Sequence, residues 1–525
     1  MKFQLLSTLL VTVLAKDLYY ECKPESIVTP TTTEQVQQVI VGAIATGKKV
    51  KAYAAGHSRN KVLCTKGITM ITTSLNQLIS IDRIKNTVTV GAGMTLKTLN
   101  DLLQLEGRMM VGVPDYGGIT VGGSIGTGGH GSSLKYPSAT HDYMVAAKLV
   151  DGTGQIINIT EDHPDFPAFR VNLGALGILT EITLNTLPLQ KLYAKNIELD
   201  FNDATLNMVD IVKQYDFANV FYFPYNKKAI IATFTGVDPT TPGNGYKTAW
   251  DSPSLPIPAS VTQWVTQKAV DTLNKLANQD QICALENLRY NQFKNPDTSE
   301  QVGYFGPMFM GRLSETSGPV VSLESSFPIS VLSDALIDIG KILEKTKACF
   351  PLFGVYTRFG LPSKTLIGSN HKEAVAHLEV HILRPEGIPY LGFSAIDEIR
   401  QLLTVKYGGE PHFGKNWASD FTQLSTRLGD RGLQFIKTVQ KYDPNGLFDN
   451  EFMKNFVPNA PRLTTPKCGL TQDCICERNL ECPNQYVCDS GRFFTQAKVC
   501  RKGSGAGCQK DDECNSNRCF LLKCR

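Results

Sequence analysis

VGVPDYGGITVGGSIGTGGHGSS, residues 111–133, holds nine glycines in twenty-three positions, with Asp115 its one acidic residue. Thr120, Ser124, Thr127, Ser132 and Ser133 stand between the glycines. Glycine is costly to order, so this density needs a local cause. Either the chain bends sharply several times, or bare backbone lies against something large and polar. Unpaired backbone N–H groups with small hydroxyls suit a phosphate, because they offer donors without side-chain bulk. The segment predicts the cradle of a phosphate-bearing cofactor, with Gly122, Gly123, Ser124, Gly128, His130 and Gly131 against it.

Two rival readings bear on the same stretch. Gly126, Gly128 and Gly131 fit G-x-G-x-x-G, and Asp151 lies twenty residues beyond the last of them. A dinucleotide fingerprint needs a strand before and a helix after. Here turn residues precede it, and Leu134-Lys-Tyr-Pro137 has no helical period. Asp151 opens Asp-Gly-Thr-Gly between apolar runs at 144–150 and 155–159, a hairpin signal. The other rival is a purely structural loop.

Outward on the N-terminal side, Thr31-x-x-Glu34 reads as a capping box, followed by helical spacing that ends at Gly47. A strand at 50–54 runs into Ala55-Gly56-His57-Ser58. Short strands follow at 69–72 and 87–90, then a helix at 96–103. This is α+β with brief strands, not a regular βαβ repeat. His57 on its Gly-Ser turn is either a solvated turn residue or an imidazole set beside a cofactor ring.

On the C-terminal side, Leu173-Gly-Ala-Leu-Gly177-Ile178 is a second small-residue stretch where backbone could approach a ligand. Leu187-Pro188 reads as a domain edge. Beyond it lie strands at 220–223, 229–233 and 379–383, helices at 261–277 and 330–344, and a surface loop at 238–258. From Pro461 the composition turns to Cys, Gly and polar residues. Ten of the fourteen cysteines fall between Cys468 and Cys524. An even, dense set in an exported chain reads as disulfides, with cysteine-only zinc as the alternative. Residues 1–15 read as a secretory signal, and no segment has the apolar length of a spanning helix. Net charge is only +4, with no long basic run, so nothing points to nucleic acid.

Ala55-Gly56-His57-Ser58, the 117–133 glycine run and Leu173-Gly-Ala-Leu-Gly177 together resemble the flavin domain of the vanillyl-alcohol-oxidase superfamily. Pro411-His412-Phe-Gly-Lys415-Asn416 and Tyr442-Asp-Pro-Asn-Gly-Leu-Phe448 resemble its aldonolactone oxidase branch. The cysteine tail is similar to that of plant-type secreted L-gulonolactone oxidases. The resemblance implies an α+β protein: an FAD-binding domain of two α/β subdomains at 16–190, an α+β substrate or cap domain at 191–407, a segment returning to the flavin at 408–460, and a disulfide-rich tail at 461–525. It implies FAD bonded covalently through His57, with Ala55, Gly56, Ser58, Gly177, Ile178 and His412 around it. No cysteine stands in the glycine stretch for a second flavin bond.

The implied reaction moves hydride from C2 of a sugar lactone, of the L-gulono-1,4-lactone type, to flavin N5. Oxygen then takes the electrons to give hydrogen peroxide and an ascorbate-type product. Reduced flavin gains negative charge near N1, which a fixed cation stabilises, and Lys415 is the candidate. Family members use Glu-x-Arg on a strand to bind the substrate hydroxyl. Here the matching pair is Glu379 and His381, on one strand face with arginine missing, so substrate identity is left open. Thr120 matches a family hydroxyl near the substrate. An alditol or other carbohydrate oxidase or dehydrogenase, and a non-catalytic extracellular carbohydrate-binding protein, are the alternatives.

Overall fold

Thr32, not Thr31, caps the first helix of the computed structural model, Thr33–Thr46. Its hydroxyl accepts from Gln35 N at 3.2 Å, and Thr31 N donates to Gln35 Oε1 at 2.8 Å. The cap lies one residue later than the sequence suggests because Thr33 points inward, bonding Thr180 Oγ1 at 2.9 Å. Its burial, with that of Val36, Ile40 and Ala43, sets the helix phase, and Gly47 ends the helix in the left-handed region at φ 65°. The structure describes residues 22–243, 268, 271–272, 279–294, 300–310, 320–350, 354–371, 373–385, 387, 389–390, 392–457, 464–508 and 513–525. The 1–15 signal, most of the 261–277 helix and most of the 238–258 loop lie outside the described residues.

Three sheets carry the body. β1 (Ser26–Val28), β2 (Val50–Tyr53) and β3 (Ile68–Ile71) pair in parallel in the order β1-β3-β2. β4 (Leu78–Asp82), β5 (Thr87–Gly91), β7 (Met144–Val150), β8 (Ile156–Thr160) and β9 (Ile178–Asn185) form an antiparallel sheet ordered β4-β5-β9-β7-β8. The Asp-Gly hairpin is β7–β8, registered Val150 to Ile156. β6 (Arg108–Met109) pairs with β10 (Leu187–Pro188) where the chain leaves this layer.

The third sheet has eight antiparallel strands: β11 (Lys191–Asp200), β12 (Phe217–Phe223), β13 (Lys228–Val237), β14 (Glu300–Tyr304), β15 (Val320–Pro328), β16 (Val355–Gly360), β17 (Val375–Leu383) and β18 (Glu410–Pro411). Their order is β14-β11-β13-β12-β16-β17-β15-β18. Alternation along each strand divides its side chains between two cores. Phe221, Phe223, Ile230 and Phe234 join the core shared with the five-stranded sheet. Val220, Tyr222, Ile231, Leu323 and Val380 face helices Leu332–Thr346 and Phe393–Tyr407.

All fourteen cysteines are paired, which excludes the zinc reading of the tail. The five tail bridges close short loops within the tail, around the hairpin of β19 (Tyr486–Ser490) and β20 (Lys498–Lys502) and the smaller one of β21 (Cys519–Phe520) and β22 (Lys523–Cys524). No bridge ties the tail to the body, so its docking is non-covalent. Glu398, fully buried on helix Phe393–Tyr407, accepts from the N–H groups of Arg492, Phe493 and Phe494 and pairs with buried Arg501 at 3.3 Å. Glu398→Ala strips three tail N–H groups of their acceptor and leaves buried Arg501 with Asp489 at 3.7 Å and Ser394 Oγ at 3.3 Å, a loss of about 3–5 kcal/mol. Faster proteolytic removal of the tail, at unchanged disulfide content, is the expected result. A tail cleaved at the wild-type rate would show that apolar packing alone holds it.

Candidate active site

The glycine segment is not a loop throughout. Val121–Thr127 is a short helix, with Thr120 as N-cap accepting from Gly123 N at 3.1 Å and Gly128 ending it at φ 78°. Val121 N donates to Met94 O and Gly122 N to Ala92 O, both at 2.8 Å. The donors expected to meet a phosphate at residues 121–123 are therefore used inside the protein. What the glycines supply here is close approach. Gly122, Gly123, Gly126 and Gly129 line a cleft together with Ala55, Gly56, His57, Ser58, Gly174 and Gly177.

Not every residue chosen from the sequence reaches that cleft. Gly128 is the helix stop, and Gly131 is needed because a Cβ there would lie 2.5 Å from Val113 O. Ile178 is buried among Val36, Ile40 and Leu447, away from the cleft. Thr120 and Ser124 line it, but their hydroxyls are engaged, one in the cap and the other with Thr140 Oγ1 at 2.7 Å. The capping bond gives Thr120 a structural role independent of any substrate.

His57 stands on the cleft wall with Tyr116 edge-on at 4.8 Å. Burial, helped by Arg59, pushes its pKa down to about 4, so the ring is neutral near pH 7. The next residues tie the His57 turn to the segment that carries Lys415. Arg59 N donates to Gly414 O at 2.8 Å, and Asn60 Nδ2 donates to Phe413 O at 2.6 Å and Asn416 O at 3.1 Å. Lys51, fully buried, also lines the cleft and holds Phe448 O at 3.1 Å and Gly174 O at 3.3 Å. Burial, against the opposing pull of Asp449 and Asp443, lowers its pKa to about 8.

A buried ion cluster built by strand register also borders the cleft, through Arg358 and Lys415. Glu324 of β15 is opposite Glu379 of β17, and Arg358 of β16 is opposite His377 of β17. All four therefore share the face turned toward the glycine helix. Arg358 donates to both carboxylates, reaching Glu379 Oε2 at 2.9 Å, and to His130 O at 3.0 Å. Lys415 Nζ bridges Glu324 Oε2 and Glu379 Oε2, each at 2.8 Å. His130 Nε2 lies 2.8 Å from Glu324 Oε1, and His381 Nε2 lies 3.2 Å from Glu379 Oε1.

An arginine does stand against Glu379, from the neighbouring strand, as Arg358, and Lys415 is fixed by two carboxylates. Burial alone would raise both carboxyl pKa values. Lys415, with His130 and Arg358 for Glu324 and with His381 and Arg358 for Glu379, outweighs it and holds both far below the usual range. Arg358, Lys415, His412 and His130 line the cleft here, with Glu324 and Glu379 behind them. Burial lowers the pKa of His412 to about 3, so its ring is neutral. Its Nδ1 accepts from Gly414 N at 2.9 Å, leaving Nε2–H as a donor.

The sequence reading missed Glu324, Arg358 and Lys51. The available signal was a charged residue inside an otherwise strand-forming run, VVSLESSFP for Glu324, VYTRFG for Arg358 and VKAY for Lys51.

An FAD fits the residues present. Glycine backbone from three separate segments lines the cleft where a Cβ would narrow it, a buried lysine lines it, and a neutral imidazole stands on it. The comparisons agree. An FAD binding domain model matches residues 24–160, a D-arabinono-1,4-lactone oxidase model matches 182–456, and an L-gulonolactone oxidase 2-like C-terminal domain model matches 465–502. L-gulonolactone oxidase 3 of Arabidopsis thaliana is 25% identical, covering 91% of this chain and 90% of its own length. L-gulonolactone oxidase of Mus musculus is 24% identical, covering 83% of this chain and 96% of its own. Among solved structures, cholesterol oxidase of Brevibacterium sterolicum superposes with a TM-score of 0.67 at 16% identity, covering 82% of this chain and 94% of that one. A chitooligosaccharide oxidase superposes with a TM-score of 0.59 at 14% identity, covering 82% and 92%. These two share the fold, a vanillyl-alcohol-oxidase-type FAD-binding architecture. Because the D-arabinono-1,4-lactone oxidase model spans more than half its length, the chain belongs to that family and is an FAD-dependent oxidase.

Proposed function

We propose that the protein oxidises a sugar lactone of the L-gulono-1,4-lactone class at C2, outside the cytoplasm, with dioxygen as electron acceptor. In this reading residues 16–190 hold the cofactor, 191–407 cover the substrate, 408–460 return to the cofactor, and 461–525 are the tail. Residues 1–15 direct export, which the complete pairing of cysteines supports. Among the described residues no helix is long and apolar enough to cross a membrane.

The observation that carries the reading is one cleft lined both by the His57 turn and by Arg358, Lys415 and His412. Bound FAD would supply a two-electron acceptor for the carbinol hydrogen and then reduce dioxygen to hydrogen peroxide. The chain's own part is electrostatic. As the C2–H bond breaks and its hydride passes to the acceptor, the hydroxyl proton leaves to solvent, which returns it to the peroxide, and the oxygen needs stabilisation meanwhile. Lys415 and Arg358 provide fixed cations lining the cleft, and His412 Nε2–H provides a neutral donor. Glu324 and Glu379 pin both cations, so little reorganisation accompanies the reaction.

The test is peroxide release from purified full-length protein on L-gulono-1,4-lactone, D-arabinono-1,4-lactone and a set of alditols. Turnover on the lactones is expected, and turnover on alditols alone would replace the substrate assignment. Protein that binds sugars without turning any over would favour the binding-protein alternative. Lys415→Ala is expected to slow flavin reduction about 10²-fold or more, measured anaerobically by stopped-flow absorbance. An unchanged reduction rate would remove Lys415 from the site.

A further inference from the structure

The tail ends in a feature that neither the cofactor cleft nor the docking through Glu398 uses. Past residue 502, where the matched family segments stop, two disulfides, Cys508–Cys519 and Cys514–Cys524, clamp the β21–β22 hairpin. Its two-residue turn is Leu521-Leu522, with φ values of 49° and 59°. A turn with two left-handed residues is normally made by Asn-Gly, because a side chain on leucine disfavours that conformation. The sequence thus gives up local backbone preference to place two leucines at an apex. Leu521 is 80% exposed and Leu522 72%, and Phe520 beside them is 46% exposed. Among the described residues this is the longest consecutive run of exposed large apolar side chains.

Asp511, Asp512 and Glu513 precede the hairpin in the sequence, Glu513 paired with Lys502, and the hairpin itself carries only cations. Residues 514–525 contain Arg518, Lys523 and Arg525 and no Asp or Glu. All three cations are exposed, with the Arg525 guanidinium 4.1 Å over the Phe520 ring. We propose that this hairpin tip inserts into the interface of an anionic lipid surface, leucines inward and cations at the headgroups. A convex apex suits lipid, which needs no pre-shaped pocket, and the three cations complement anionic headgroups. Disulfide clamping keeps the tip presented, so little ordering accompanies insertion.

The test uses the full-length protein with phosphatidylcholine vesicles, with and without phosphatidylserine, followed by co-sedimentation at low and high salt. Binding to the serine-containing vesicles, weakened by salt, is expected. Leu521→Asn with Leu522→Gly installs the favoured turn pair, so thermal stability should hold or rise. Vesicle binding by this variant should fall about tenfold or more. The proposal is overturned if wild-type protein stays in the supernatant, if it binds neutral vesicles equally, or if the variant sediments like wild type. It is also overturned if sedimentation velocity without vesicles shows a dimer that the variant abolishes, which would make the tip a self-association surface.

Discussion

Protein carrying His57→Ala is expected to give a colourless pellet on acid precipitation, while wild-type protein stays yellow and shows flavin fluorescence on the denatured band. A tryptic peptide containing His57 should carry an FAD-sized mass addition in the wild type only. The reason lies in the position and charge of the ring. It stands on the cleft wall, and burial with Arg59 nearby lowers its pKa to about 4, leaving a neutral nucleophile near pH 7. The variant should still retain flavin reversibly, because the glycine walls and Lys51 are untouched. A yellow acid pellet from His57→Ala would place the attachment elsewhere, and a colourless wild-type pellet would show that the flavin is held without a bond.

Arg358→Ala is expected to damage stability and turnover together. The guanidinium is buried and donates to Glu324, Glu379 and the His130 carbonyl. Its removal leaves two buried carboxylates with one shared lysine and the rings of His130 and His381, which corresponds to about 3–5 kcal/mol lost from unfolding in urea. Turnover on the lactone should fall about 10²–10³-fold, on the scale of one preorganised donor removed. Arg358→Lys separates the two effects. It keeps the charge and much of the stability, yet cannot reach both carboxylates and the carbonyl with one planar fork, so turnover should stay low. Wild-type turnover in Arg358→Ala would move the chemistry away from this cluster.

The features legible in the sequence are local ones. The helix ending at Gly47, the Asp-Gly hairpin and the dense glycine segment are each written within about twenty residues, where period and turn chemistry act directly. Within that segment the short helix went unread, because seven residues with three glycines show no apolar period. Of the six groups in the ion cluster, His130, Glu379, His381 and Lys415 were legible through motifs, whereas Glu324 and Arg358 acquire meaning from antiparallel register, which pairs residues far apart in the chain. The arginine against Glu379 comes from the adjacent strand, a placement that spacing along a single strand cannot reveal. Thr120 shows the converse, since its hydroxyl is already accounted for by a helix cap.

The bonds between Lys51 Nζ and Phe448 O, and between Val50 N and Leu447 O, join residues 397 apart in the chain. At ribosomal speeds, the early strands emerge about 20–80 s before the segment that completes the cleft around them. Cofactor capture is therefore expected late in biosynthesis, after nearly the whole body has been made. A nascent chain arrested before residue 412 should be unable to take up pigment, however much of its N-terminal half has already folded.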